Sequence, residues 1–422
     1  VIYNNKCSFV VRNSKNIFYK FTLNNQKNLF LQSYDYRGLI SSSIFKENIN
    51  NFSIDIDSMD KIHILYTSIN GTMRYTVYPS SFHKDINLLN INEKYNISFL
   101  KLKIVNFKPH VFYILEDKLQ SSYKSIHHIF LHNNSLHNIK IEDIPSSKYI
   151  YPYIVDAINN TMYLFCTKNG SKFIIKKFNV NLANWTTYDD TLSISSTNNA
   201  SFLINNKNIL LICYNSSFNK NIQTFIKYKE LNSYNCQWSD PIILSDKTSN
   251  STHATIINKS GNTYVVWEEN GQIVYKKSFY GTNDWSSKKI LTNKKEKFFT
   301  GIYLSNHNTD KDYKSILSTI DINNIPYPII NLENNNSNSF YINKDQVNSS
   351  LFIPRTEKTT FNNKKEKKQI QKLQCMLAEK EKKIIELSQC NLILKNELET
   401  KNKELENLNE KLKKNWLSKF FK

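Results

Sequence analysis

Asn262 to Lys289 reads NTYVVWEENGQIVYKKSFYGTNDWSSKK. An apolar run ends in Trp267, turns at Glu269-Asn270-Gly271 and returns through Tyr275. Asn-Gly tolerates the positive φ angles of a tight turn, so the two runs predict a β-hairpin. The loop Tyr280-Gly281-Thr282-Asn283-Asp284 follows, and a further run opens at Trp285. The same layout recurs upstream, which makes this stretch the template for most of the chain.

The polar residues Asp57, Asp156, Asn205 and Asn258 each end a candidate first strand, and an aromatic stands nine residues after each: Tyr66, Phe165, Tyr214 and Trp267. Units ending at Arg12 and Asn106 have loops two residues shorter and reach Tyr19 and Tyr113. The second half repeats too, with Tyr228 ten residues before Trp238, Tyr275 ten before Trp285 and Ile175 ten before Trp185, and each Trp is followed by Ser or Thr. Units open near Cys7, Phe52, Ser98, Ile150, Ala200, Thr252 and Phe299, spaced 45, 46, 52, 50, 52 and 47 residues apart. Four short strands every ~50 residues predict an all-β β-propeller over residues 1–345, of about seven four-stranded blades, with six as the alternative. The seventh unit is the least regular, and its loop at Asn306–Asp312 departs from the template. Closure by Ser339–Ile342 and closure by Val1–Tyr3 both stay open. The repeated aromatics are large enough to fill the wedge between two twisted sheets, which predicts a packing role for them.

Met73-Arg74-Tyr75, Ile226-Lys227-Tyr228 and Ile273-Val274-Tyr275, with Trp185, Trp238 and Trp285, resemble the repeats of sialidase and fucose-lectin propellers. The resemblance implies the propeller architecture over most of residues 1–345. The sialidase family would also bring an S-x-D-x-G-x-x-W box and three arginines spread round the ring; residues 1–345 hold only Arg12, Arg37 and Arg74 and no such box. The lectins would bring an arginine to each site between blades, and no such series is present.

The linker 346–363 is polar and carries Pro354. From 364 to 415 the period becomes heptad, without Pro or Gly, and predicts a long α-helical coiled coil. Ile370, Leu377, Ile384, Asn391, Leu398, Leu405 and Leu412 fall at position a, and Leu373, Leu387, Leu394 and Leu408 at d, with Lys380, Lys401 and Asn415 weakening that seam. Asn391 at a core position favours a parallel dimer, with a trimer as the alternative. Residues 416–422 form a basic-aromatic tail in which Trp416, Leu417, Phe420 and Phe421 share one helical face, suited to an anionic membrane surface or a partner. The alternative is a solvated end of the coil.

The net charge of +20 comes from 52 lysines and four arginines against 36 acids. Base and phosphate recognition favours the forked guanidinium, so nucleic acid is expected only as a non-specific partner. Seven glycines and the lack of G-x-S-x-G leave no phosphate loop and no nucleophile elbow. The six cysteines are scattered, with no CxxC pair, and predict reduced structural thiols. His127, His128, His132 and His137 cluster without a nearby carboxylate or cysteine, so no metal or other cofactor is expected.

Asp55 and Asp57 alternate onto one face of an inner strand, and Asp156 stands in the equivalent place two units on. As channel carboxylates they suit acid/base work on a glycosidic bond; as turn residues they bond their own backbone. The leading expectation is a non-enzymatic scaffold whose propeller binds a protein or glycan and whose coil oligomerises it, and a degenerate glycosidase-like enzyme is the runner-up. No apolar run is long enough to cross a bilayer. No secretory signal is read, but the chain starts at Val1, so a cytoplasmic or membrane-peripheral placement stands beside a surface or secreted one.

Overall fold

A computed structural model describes residues 8–328, apart from short segments at 36–37, 80–84, 93, 120–122, 146–151, 170–171, 195–196, 232–236, 292–297, 300, 311–312, 316–318 and 323–324. Six four-stranded antiparallel meanders follow one another. They are β1 (Ser8–Arg12), β2 (Phe18–Leu23), β3 (Leu29–Asp35) and β4 (Gly38–Lys46); then β5 (Ile49–Ile56), β6 (Ile62–Ser68), β7 (Thr72–Tyr78) and β8 (Ile86–Asn90). The third holds β9 (Tyr95–Val105), β10 (Lys108–Asp117), β11 (Tyr123–His132) and β12 (Ser135–Pro145), and the fourth β13 (Tyr153–Ile158), β14 (Thr161–Asn169), β15 (Lys172–Asn179) and β16 (Asn184–Asp189). The last two are β17 (Thr197–Ile204), β18 (Ile209–Phe218), β19 (Asn221–Glu230) and β20 (Ile242–Ile243), and β21 (Ser251–Lys259), β22 (Asn262–Glu269), β23 (Gln272–Ser278) and β24 (Lys289–Ile290). The architecture is a six-bladed β-propeller.

Among the described residues the expected seventh blade does not form a four-stranded copy of the others. β25 (Phe298–Phe299), β28 (Thr319–Ile322) and β29 (Ile325–Pro328) make a three-stranded sheet. β26 (Gly301–Ser305) instead pairs in parallel with β1, and β27 (Lys314–Ser315) pairs with β21. Both lie on the inner edges of their sheets. Tyr313 between them packs against the apolar clusters of the sixth and first blades, so this unit closes the ring. The closing segments considered from sequence, 339–342 and 1–3, lie outside the described residues.

The cores are the seams between consecutive blades. One cluster joins the first and second blades, and others join second to third, third to fourth, fourth to fifth and fifth to sixth. Trp185, Trp238 and Trp285 each pack into the seam with the preceding blade. Tyr75, Ile175 and Tyr228 pack into the seam with the following one. The residue after the tryptophan acts on the backbone: Ser239 Oγ accepts from Tyr228 N at 3.0 Å and Ser286 Oγ from Lys277 N at 3.1 Å. The same serines donate their own N–H to the carbonyls of Tyr228 and Lys277 at 2.9 and 2.8 Å, and the fourth strands of these two blades are two residues long and start after the tryptophan, not at it.

The second-strand aromatics divide. Tyr66, Tyr113, Tyr214 and Trp267 face the preceding blade, whereas Tyr19 and Phe165 face the following one. Spacings of seven and nine keep the same face, so for Tyr19, Phe165, Tyr66 and Tyr214 the division follows from the depth of the polar residue counted from: Arg12 and Asp156 are paired within their strands, whereas Asp57 and Asn205 lie beyond theirs. All six lie in seams, but only four occupy one repeated place.

The first turn of each blade carries a residue of positive φ: Asn16, Asp60, Asn106, Asn159, Asn208 and Ser260. Asn and Asp accept this region more readily than other side-chain-bearing residues. Asn13, Asp57 and Asn205 brace the longer turns, each accepting two backbone N–H groups through one side-chain oxygen.

Candidate functional site

The inner strands bring the three candidate carboxylates into two different settings. Asp55 Oδ2 accepts from Ile104 N at 2.7 Å, and Oδ1 from Ile56 N at 3.1 Å. Asp156 Oδ2 accepts from Ile204 N at 3.0 Å, and Oδ1 from Ala157 N at 2.8 Å. Each therefore ties its inner strand to that of the next blade. Ser53 and Ser201 do the same for Leu102 N at 2.9 Å and Ile256 N at 3.2 Å. Asp156 thus shares the place of Asp55 rather than that of Asp57.

Asp57 braces its own turn through Oδ1 and meets His63 Nε2 through Oδ2 at 3.1 Å, while His63 Nδ1 lies 2.5 Å from the Tyr75 hydroxyl. A carboxylate only accepts, so Nε2 carries the proton, and in the neutral ring Nδ1 accepts from Tyr75. All three residues are buried. Burial pushes the Asp57 carboxyl up, but hydrogen bonds from His63, Lys61 and Met59 outweigh it and hold the group below the usual carboxylate range. Burial, with the charge of Asp57, pushes the Tyr75 hydroxyl up to about 12.

Further polar ties run round the turn end of the ring. Asp60 accepts from Ser14 N at 3.0 Å and from Asn306 Nδ2 at 2.9 Å. Asn106 Nδ2 donates to Asn160 Oδ1 at 2.9 Å, and Asn258 Nδ2 lies 3.4 Å from Asn206 Oδ1. In a meander the first and third turns fall at the same end, so this end also carries Met59, Phe107, Leu182 and Phe279, all exposed. Asparagine amides interleaved with apolar tips line this end.

The closing strand is held by a buried ion pair. Arg12 Nη1 donates to Asp310 Oδ2 at 2.8 Å, and Tyr303 Oη and Ser305 Oγ donate to the same oxygen at 2.5 and 2.9 Å. Burial pushes the Asp310 carboxyl up, but these donors and the Arg12 charge hold it below its ordinary value. Asp60, Asn306 and Asp310 were not singled out from sequence. The signal present was the irregular loop at 306–312, whose departure from the repeat marks the place where the ring is joined.

Of the four clustered histidines only His128 enters a buried stack, with His110 of β10, while His137 is exposed. Trp185 Nε1 donates to His128 Nδ1 at 3.3 Å, so His128 Nε2 carries the proton and donates to His110 Nδ1 at 3.1 Å. His110 Nε2 is then a buried N–H without a hydrogen-bond partner. Burial, and the charge of nearby Lys108, pushes His110 down to about 4, and burial beside His110 puts His128 well below its usual value. His127 meets Ser125 Oγ at 3.0 Å, and His132 and His137 contact each other. Among the described residues no three His, Cys, Asp or Glu side chains gather as a metal site. Cys166 and Cys213 are free and buried, and burial pushes both thiols up. No helix among the described residues is long and apolar enough to cross a membrane.

The chain divides at Phe340/Tyr341, and the second unit lies outside the described residues. The heptad positions Ile370 to Leu412 and the tail residues Trp416, Leu417, Phe420 and Phe421 lie there, and Arg37 lies in a segment of the ring that is also outside them.

No protein family matches the chain, and no curated protein does. Solved structures match over the ring. The fucose-specific lectin from Aleuria aurantia is 10% identical, with a TM-score of 0.37, over 68% of this chain and 95% of that one. AofleA from Arthrobotrys oligospora is 7% identical, with a TM-score of 0.39, over 68% and 87%. The Dos1 propeller is 12% identical, with a TM-score of 0.41, over 67% and 70%. The likeness is one of propeller architecture.

Proposed function

We propose that the chain is a non-enzymatic binding and scaffold protein, in which the ring holds a protein or glycan partner and the heptad segment 364–415 joins copies of the chain, as a dimer in the favoured form. One observation carries this reading: Asp55 and Asp156 hold the backbone N–H groups of neighbouring blades. A glycosidic acid/base pair must offer its oxygens to the substrate and its water. The turn end, with its asparagine amides and exposed Met59, Phe107 and Leu182, offers polar and apolar contacts. Joining two rings would raise avidity without a new contact. The runner-up is a degenerate glycosidase working through Asp57, whose partners are its own turn and His63.

A glycan and peptide array read with the full chain tests the binding half. Ligands retained by the parent chain and lost on Phe107→Asp are expected; ligands retained equally by both would move the site away from the turn end. Sedimentation of the full chain against a chain ending at residue 345 tests the joining half, which a monomeric full chain would remove. The tail residues Trp416, Leu417, Phe420 and Phe421 would add peripheral membrane contact, and liposome flotation unchanged by deleting 416–422 would exclude it. Any nucleic-acid binding would be non-specific and weaken steeply with salt.

A further inference from the structure

Among the described strands the fourth of each blade is an edge whose outer hydrogen-bonding groups face away from the sheet, and such edges invite pairing unless they are short or charged. β20 and β24 are two residues long, β8 and β16 are five and six, and the long β12 carries Lys140, Glu142 and Asp143. β4 is both long and nearly free of charge. Its nine residues, Gly38-Leu39-Ile40-Ser41-Ser42-Ser43-Ile44-Phe45-Lys46, hold no charge before the last, and Leu39, Ile40 and Ile44 are 56%, 56% and 46% exposed. Ser41 to Ile44 pair regularly with β3 between two irregularities, and β4 ends its sheet.

The strand is also its own complement. Ile40-Ser41-Ser42-Ser43-Ile44 reads the same in both directions. An antiparallel copy related by a two-fold axis through Ser42 sets Ile40 opposite Ile44, Ser41 opposite Ser43, and Ser42 opposite itself. Apolar meets apolar at both ends, and no like charges face each other. Self-complementarity of this kind is what an isologous interface requires. We propose that β4 is a self-pairing edge, through which a second copy of this chain joins the first blades of two rings into one sheet. A pairing of this length buries well under the ~1,200 Å² of a standard interface, so the association is weak and concentration-dependent.

Ser42→Cys in the full chain, under mild oxidation with oxidised glutathione, reads the register directly. Opposed Cα atoms lie ~4.5–5.5 Å apart in an antiparallel pair, within disulfide reach. Ser41→Cys faces Ser43 of the second copy, which leaves the two introduced thiols out of reach of each other. The expected result is a covalent dimer whose peptide map joins position 42 of one copy to position 42 of the other. Its yield should be at least tenfold above that of the parent chain and of Ser41→Cys, and it should be lost when Ile44→Lys is added. Ser42→Cys cross-linking no better than the parent, equal cross-linking by both single variants, or survival with Ile44→Lys would each overturn the proposal. Dimerisation through residues 364–415 alone gives no preference for position 42 over 41, so the two interfaces are distinguished.

Discussion

Asp55 and Asp156 each accept a backbone N–H from the next inner strand, at 2.7 and 3.0 Å, and these bonds are half-buried in the ring. Removing such an acceptor leaves an amide without a partner, which costs about 1–3 kcal/mol. Asp55→Ala and Asp156→Ala should therefore lower unfolding stability in urea by an amount in that range, while the Asn variants, whose amide oxygen still accepts, should lose less. Equal loss in Ala and Asn variants would show that charge, not the N–H bond, is what matters there. The sequence placed Asp55 on an inner strand but set Asp156 level with Asp57. The reason is turn length. Asp57 opens the turn 57–61, whereas β13 runs on to Ile158 and turns within Asn159-Asn160, so counting back from an aromatic lands at different depths in the two blades. Asp310 was beyond reach, because its partner Arg12 lies 298 residues away and no local pattern connects them.

Between the third and fourth blades, β10, β11 and β16 bring His110, His128 and Trp185 into one seam. Both histidines are neutral in the folded ring, His110 down to about 4. An unfolded histidine titrates near 6.5, so between about 4 and 6.5 the unfolded chain binds more protons and stability rises with pH. The loss on acidification therefore begins below pH 6.5, earlier than that from carboxylates such as Asp57 and Asp310. Those are held low when folded, so their contribution is present above their ordinary value of 3.8 and is lost only as pH falls below it. Urea unfolding of a His110→Phe, His128→Phe double variant should show a flatter slope between pH 6.5 and 4 than the parent, and an unchanged slope would place the acid limb elsewhere. The propeller repeat was legible at this scale because the tryptophans all face the preceding seam, and Tyr75 and Tyr228 the following one. The histidine stack was not, because its members come from different strands: His110 and Trp185 lie 18 and 57 residues from His128, and no local pattern along β11 connects them.

The whole ring shows why seven repeats yield six blades. The last unit has the apolar strand of the template, Gly301–Ser305, but places it on the inner edge of the first blade, and Arg12, Tyr303 and Asp310 lock it there. A count of units cannot distinguish a blade from a closing segment, since both begin with the same strand. Ion pairs across the seams, such as Lys176 with Glu142 at 2.6 Å and Lys46 with Asp85 at 2.8 Å, add little beside the buried clusters. The proposed binding role draws on two surfaces, the asparagine-bearing turn end and the long, exposed edge β4. A panel of fluorogenic glycosides, read with the parent chain, Asp57→Asn and Asp156→Asn, decides between surface and chemistry. Hydrolysis at the level of buffer is expected for all three; turnover by the parent that Asp57→Asn abolishes, in a variant that still unfolds cooperatively, would contradict a non-enzymatic ring.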